Sequence, residues 1–296
     1  VMALVLKQPD FSTTLTFVPA IFGMMFAAGA DLFQLAAIFG FGGVAISVPL
    51  IYTICQVRYP LAAAHSLPGM ILATSRMGWA TLAAIGIFCA IGFLAWRVSS
   101  WMRVQIRPAA FAAIPILLSA ALLSGIVVHR SLKGYQRNRF VAWIAPQSDA
   151  QGASYNVIQS QIAVGSGGMW GKGLFSGTQS QLGFLPERHT DFVFANVGEE
   201  MGFWGTSLIL GLYMVLLWRL VAAARQARDR YGYLVCAGLA STLAFQLILN
   251  VGMCVGLMPV AGVPLPLVSY GGSSLLVTLW TLGIVANIYA RRYALL

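Results

Sequence analysis

Apolar residues run along this chain in long blocks, separated by short polar breaks rich in proline, glycine and arginine. The blocks predict spanning helices at about 11–29, 32–55, 78–96, 109–128, 202–218, 234–258 and 275–290, because a bilayer core takes about 20 apolar residues to cross. Residues 1–6 read as the last turns of an earlier helix, broken at Pro9, with Asp10 or Ser12 placed to cap the next. The chain opens inside an apolar run with no signal peptide, as expected of a longer protein lacking its N-terminal part. Between 56 and 77 lies a connector with Arg58, Pro60, His65, Pro68 and Arg76, and its stretch 61–73 is apolar enough to lie along an interface.

The pattern changes between 129 and 200. That region is polar and glycine-rich and holds no spanning run. It is far longer than an ordinary connection, which marks it as a working part. Within it, Tyr155, Ile158 and Ile162 recur at helical spacing and predict a short amphipathic helix on or in the membrane surface. The glycines of 165–173 then supply flexible backbone. The expected fold is all-α, a polytopic transmembrane helical bundle with one long extracytoplasmic loop. It divides into helices over 1–128, the loop over 129–200 and three further spans over 201–296.

Composition agrees. The chain is 59% hydrophobic and 9% charged, with a mean hydropathy of +0.80, where a soluble domain carries about 25% charged residues. The net charge of +10 does not indicate nucleic acid, because the arginines flank apolar runs rather than forming a basic stripe on a soluble segment. The basic stretches at 97–108 and 219–233 and the C-terminus fall on one side of the bundle, which the positive-inside rule makes cytoplasmic. The 129–200 loop then lies outside. Cys55, Cys89, Cys236 and Cys254 sit in or at the ends of apolar helices without metal or disulfide spacing, and read as packing residues.

Candidate chemistry concentrates in the loop. Four of the eight acidic residues, Glu187, Asp191, Glu199 and Glu200, lie within fourteen positions. Carboxylates beside so much hydrocarbon are costly to place. Glu187 and Asp191 would share a face if helical, and a carboxylate at the bilayer edge can act as a general base; ion pairing with Arg188 is the plainer role. Glu199 and Glu200 precede a span and read as acids favoured at a helix start. The 165–173 glycines fail the P-loop pattern, since Gly173 rather than Ser or Thr follows Lys172; an anion nest or a plain flexible loop remains. Ser269-Tyr-Gly-Gly-Ser-Ser274 begins the last helix, where Ser273 or Ser274 can cap it and free N–H groups can face an anion. No Ser-His-Asp set is apparent.

Several stretches carry a resemblance. They are Leu6-Lys-Gln-Pro-Asp-Phe-Ser-Thr-Thr-Leu15, Gly134-Tyr-Gln-Arg-Asn-Arg139, Gly152-Ala-Ser-Tyr-Asn-Val-Ile-Gln-Ser160, the 165–173 glycines, Gly177-Thr-Gln-Ser-Gln-Leu-Gly-Phe-Leu-Pro-Glu-Arg-His-Thr-Asp-Phe192 and Gly262-Val-Pro-Leu-Pro-Leu-Val-Ser-Tyr-Gly-Gly-Ser-Ser274. In these the chain resembles the SEDS family (shape, elongation, division and sporulation) of bacterial cell-wall proteins. The resemblance implies a peptidoglycan glycosyltransferase of the inner membrane. It would polymerise lipid II, the undecaprenyl-diphosphate-linked disaccharide peptide, beside a class B penicillin-binding protein. The family's essential aspartate corresponds to Asp191, taken to activate the acceptor sugar hydroxyl. A divalent cation is compatible with such chemistry, and the residues do not establish one. Charge and proximity add Arg188, Lys172, Arg137 and Arg139 for the diphosphate, and Gln179, Gln181 and His189 for sugar hydroxyls. Glu187, Ser269, Tyr270 and Ser273 complete the candidate substrate-binding set. The Gly134 and Gly177 motifs lean toward an elongation role.

Two other functions fit a membrane bundle. A lipid II flippase would need ionisable residues at mid-span, and the expected spans carry almost none. A non-catalytic scaffold for a penicillin-binding protein would not need Asp191. The stretch between Thr13 and Val128 holds four spans where the resemblance implies two, so an inserted helix pair is expected there.

Overall fold

The computed structural model describes residues 11–59, 66–75, 77–101, 108–132, 134–149, 152 and 154–293. The helix end at 1–6 and the expected contributions of Lys7, Pro9, Asp10, Pro60, His65, Arg76, Arg103, Arg107 and Lys133 lie outside the described residues.

The described residues form helices and no strands. In chain order the helices are α1 (Phe11–Ala27), α2 (Leu32–Arg58), α3 (Leu67–Thr74), α4 (Trp79–Trp101), α5 (Pro108–Ser131), α6 (Gly134–Ile144), α7 (Tyr155–Ser166), α8 (Thr178–Gln181), α9 (Val193–Arg225), α10 (Arg230–Cys254) and α11 (Gly272–Ala290). Six of them are long and apolar enough to cross a membrane: α2, α4, α5, α9, α10 and α11. The seventh expected span, at 11–29, forms only the 17-residue α1 among the described residues. A helix is present at the expected place around Tyr155, as α7, and the side chains it buries are Val157, Ser160 and Ala163.

The chain divides into two compact units. One comprises residues 32–145. Its core is Val48, Tyr52 and Ile126, with Leu72 and Leu122 packed against them. α2 and α5 approach closely because Gly125 has no side chain: a Cβ there would stand 2.8 Å from the Ala45 carbonyl oxygen. Small residues permit such approach where lipid offers no hydrophobic drive for helix association. Of the stretch 61–73 expected to lie along an interface, residues 61–65 lie outside the described residues; Leu67–Thr74 form α3, its start capped by Ser66, which accepts from the Gly69 amide.

The other unit comprises residues 1–31 and 146–296, and α9 and α10 are its spine. One core cluster joins Leu185, Phe192, Phe194, Leu247, Met253 and Leu265. A second, farther along the same helices, joins Leu220, Ala224, Cys236, Leu243 and Val285. Asp229 caps α10, its carboxylate accepting from the Gly232 amide at 3.0 Å. The cysteines are free, with Cys55, Cys236 and Cys254 buried and Cys89 exposed.

Candidate active site

α9 is broken. Gly202 has φ +66° and ψ −159° in the middle of an otherwise helical run, a combination essentially restricted to glycine. A break frees carbonyls before it and amides after it, and in a membrane protein both need partners. The glycine loop supplies them. The Phe203 and Trp204 amides donate to the Gly168 and Met169 carbonyls at 2.9 and 3.3 Å. The Lys172 and Gly173 amides donate to the Glu199 and Glu200 carbonyls, both at 3.0 Å. The 165–173 stretch is therefore a fixed splint across the break rather than flexible backbone.

Glu199 locks that splint. It is fully buried, and its carboxylate accepts from Lys172 Nζ at 2.8 Å, Gln179 N at 2.9 Å, Thr178 Oγ1 at 3.0 Å and Ser180 N at 3.2 Å. Glu200 Oε2 accepts from the Phe175 amide at 3.2 Å. These acids do not begin a helix, in contrast to the expectation from their position before a span. They end the first segment of α9, and tertiary partners determine their role. Lys172, a candidate for the diphosphate, is here the ion-pair partner of Glu199, with its side chain 28% exposed.

Asp191 lies in the turn that leads into α9, between buried Leu185 and Phe192. Residues 186–192 form successive turns, so Glu187 and Asp191 do not share a helix face. Glu187 takes φ +52°, and its Oε2 accepts from Thr190 Oγ1 at 2.9 Å. The backbone around Asp191 is held from outside the turn. Asn250 Nδ2, fully buried on α10, donates to the Asp191 carbonyl at 2.9 Å and to the Val263 carbonyl at 2.8 Å. Ser269 Oγ donates to the Thr190 carbonyl at 2.6 Å while accepting from the Leu265 amide at 2.7 Å. The Tyr270 amide donates to the His189 carbonyl at 2.7 Å. Gly262 lies next to the carboxylate: a Cβ there would be in van der Waals contact with Asp191 Oδ2 at 3.4 Å.

The two long motifs thus meet: the 262–274 stretch cradles the 189–191 turn. Ser269 proves to be a buried support, and Tyr270 contributes its backbone while its ring is exposed. Ser273 is exposed on the first turn of α11; Gly271 is the N-cap, without a side-chain cap bond. Arg188 Nε donates to His189 Nε2 at 3.1 Å. Gln181 Nε2 donates to the Phe175 carbonyl at 3.0 Å. Gln179 Oε1 is buried without a hydrogen-bond partner among the described residues. Arg137 and Arg139 are exposed on α6, in the other unit, and Arg137 bonds Gln56. Sequence reasoning missed Asn250. A lone asparagine inside the apolar run 234–258 was the available signal, since a polar side chain there needs partners.

The family model for the FTSW_RODA_SPOVE cell cycle proteins matches residues 54–294. The chain belongs to this family. The SEDS expectation drawn from the motifs is thereby met, and the chain is a multi-pass, all-helical member. Among similar proteins is the peptidoglycan glycosyltransferase MrdB of Escherichia coli K12, 43% identical over 225 residues, covering 75% of this chain and 57% of the relative. The peptidoglycan glycosyltransferase RodA of Treponema pallidum is 34% identical over 297 residues, covering 98% of this chain and 66% of the relative. The chain thus spans just over half of the first relative's length. A solved chain described under structural coordination of polymerization and crosslinking by a peptidoglycan synthase complex aligns with 95% of this chain at 27% identity, with a TM-score of 0.47. That superposition is too loose to carry residue geometry across.

Proposed function

We propose that this SEDS-family chain is the catalytic part of a peptidoglycan glycosyltransferase that polymerises lipid II at the outer face of the cytoplasmic membrane. The observation that carries this is the cradle around Asp191. Three hydrogen bonds, from Asn250, Ser269 and Tyr270, fix the backbone of 189–191, which carries the half-buried Asp191 carboxylate in the turn leading into α9. Preorganisation of that kind favours chemistry over passive docking. The names of the similar proteins supply the reaction class.

In the proposed reaction a carboxylate oxygen of Asp191 takes the proton of the acceptor sugar hydroxyl as its oxygen attacks the donor's anomeric carbon. The bond from that carbon to the diphosphate breaks, and undecaprenyl diphosphate leaves with the electron pair. Arg188 and His189 precede Asp191 in the same turn and are candidates for the diphosphate and sugar. Arg137 and Arg139 remain proposals for the same anion. The described residues bring no three His, Cys, Asp or Glu side chains together as a metal cage. A divalent cation would supply charge neutralisation to the diphosphate leaving group, and single carboxylates such as Asp191 or Glu187 would be the side chains of this chain to hold it. The partner would be a class B penicillin-binding protein, with the 129–200 region outside and the C-terminus cytoplasmic.

The test is polymerisation of lipid II by the full-length protein with its partner, comparing wild type with Asp191→Asn. Loss of a general base predicts a fall of about 100-fold or more. Glycan made at the wild-type rate would remove Asp191 from the chemistry. Lipid II crossing a liposome membrane without polymer would replace the reading with transport.

A further inference from the structure

The splint at Gly202 has an outer surface. Trp170 on the loop stands beside Trp204 on α9, ring centroids 6.3 Å apart and planes inclined by 38°. Leu174, Phe175, Phe203 and Leu208 extend this apolar surface, and Trp170 and Phe175 are each about four-fifths exposed (81% and 80%). Trp170, Leu174, Met201, Trp204 and Leu208 line one open groove. A water-exposed loop gains nothing from presenting such groups together.

The depth of this surface can be read from α9. Arg219 lies seventeen positions after Gly202, a rise of about 26 Å against a hydrocarbon core of about 30 Å. No charged residue lies between them. The far end is marked by exposed Trp218 beside Arg219, the pairing expected at a membrane interface. The Gly202 end is then the opposite interface, and Trp170, alongside Trp204, lies level with it.

The loop is also built to tolerate lipid. The amides of Gly171, Lys172, Gly173 and Ser176 all donate to backbone carbonyls, and the Phe175 amide donates to Glu200 Oε2. The Lys172 ammonium is neutralised by Glu199. Polar groups satisfied internally are the condition for backbone to enter a bilayer boundary.

The geometry points to a membrane-interface anchor: Trp170, Leu174 and Phe175 insert among phospholipids at the headgroup–acyl boundary, at a depth set by the Gly202 splint. The occupant is bilayer phospholipid, because the surface continues the apolar face of a membrane-spanning helix. This inference rests on the spanning helix and not on the polymerase reading, so the failure of one leaves the other standing.

The test uses full-length protein in phosphatidylcholine vesicles, with the Trp170 emission obtained as the difference between wild type and Trp170→Phe. Phosphatidylcholine brominated near the headgroup end of its acyl chains should lower that difference signal by about half or more, and chain-end bromination by less, as for an interfacial indole. Quenching by aqueous iodide instead would place Trp170 in water and overturn the anchor. Protection from all three quenchers would mean that protein covers the surface, and would overturn it equally. Adding Phe175→Trp to the Trp170→Phe background provides a second reporter. Its emission should show the same preference for headgroup-end bromine, and quenching of that emission by iodide instead would count against the anchor.

Discussion

Asn250 Nδ2 donates to the carbonyl of Asp191 at 2.9 Å and, with its other hydrogen, to the carbonyl of Val263 at 2.8 Å. One buried amide thereby ties the turn bearing the candidate base to the start of the Gly262–Ser274 motif. Asn250→Ala would strand two carbonyls at a cost of roughly 1–3 kcal/mol each and release the turn. Displacement of a reacting group by about 1 Å can cost 100-fold in rate. We expect Asn250→Ala to lower kcat for lipid II polymerisation by about 10- to 100-fold, with a smaller change in KM. An unchanged kcat in folded protein would show that the bond is dispensable.

Ser269 supports the same turn from the other side, accepting from Leu265 N and donating to Thr190 O. Ser269→Ala removes both bonds, whereas Ser269→Thr keeps the hydroxyl. A fall in polymerisation with Ala that Thr largely restores is the expected pattern, and equal defects in both would point to steric packing instead.

The Lys172–Glu199 pair is an ion pair with one fully buried partner. Removing one charge from such a pair typically costs about 3–5 kcal/mol, because the other is left uncompensated, while replacing both can be close to neutral. Glu199→Gln should therefore lower the thermal unfolding midpoint clearly. Lys172→Met with Glu199→Gln should be destabilised by less than the sum of the single variants. Additive single and double effects in a double-mutant cycle would show that the two charges do not interact.

Gly202 occupies a glycine-only backbone region, and a Cβ there would stand 2.3 Å from the Gly171 amide nitrogen. Gly202→Ala should thus cost at least about 1–3 kcal/mol in backbone strain and open the splint. Hydrogen exchange reads this directly: the amides of Lys172, Gly173, Phe203 and Trp204 should exchange faster in the variant. Unchanged protection would show that the break is held by other contacts.

Gly262 differs in being next to the carboxylate. It takes φ +66°, and a Cβ would touch Asp191 Oδ2 at 3.4 Å. Left-handed strain for an L-residue is about 1–2 kcal/mol, so Gly262→Ala should fold but polymerise poorly. Comparing its thermal midpoint with its kcat separates the two effects. A large stability loss with normal turnover per folded molecule would refute a role in seating Asp191.

The apolar blocks determined the helical bundle, since a run of about 20 apolar residues has no other economical place than a bilayer. The 234–258 run forms α10 and the Tyr155–Ile158–Ile162 spacing forms α7 for the same local reason. The Thr190-Asp191-Phe192 motif is legible too, because acids are so scarce here that a clustered one stands out. What the chain alone leaves open are the partners of polar groups. Glu199 has the sequence position of a helix-start acid, and only folding brings Lys172 and the Thr178–Ser180 segment to it. The 165–173 glycines look slack along the chain, and only the break at Gly202 gives their backbone groups something to bond. Asn250 shows along the chain only as an amide in an apolar run that must find partners, and only folding reveals that it holds Asp191 across 59 positions. Hydrophobic periodicity is a local property, readable along the chain. Hydrogen bonds between distant residues depend on which groups folding brings within about 3 Å, and that was decided by the tertiary structure.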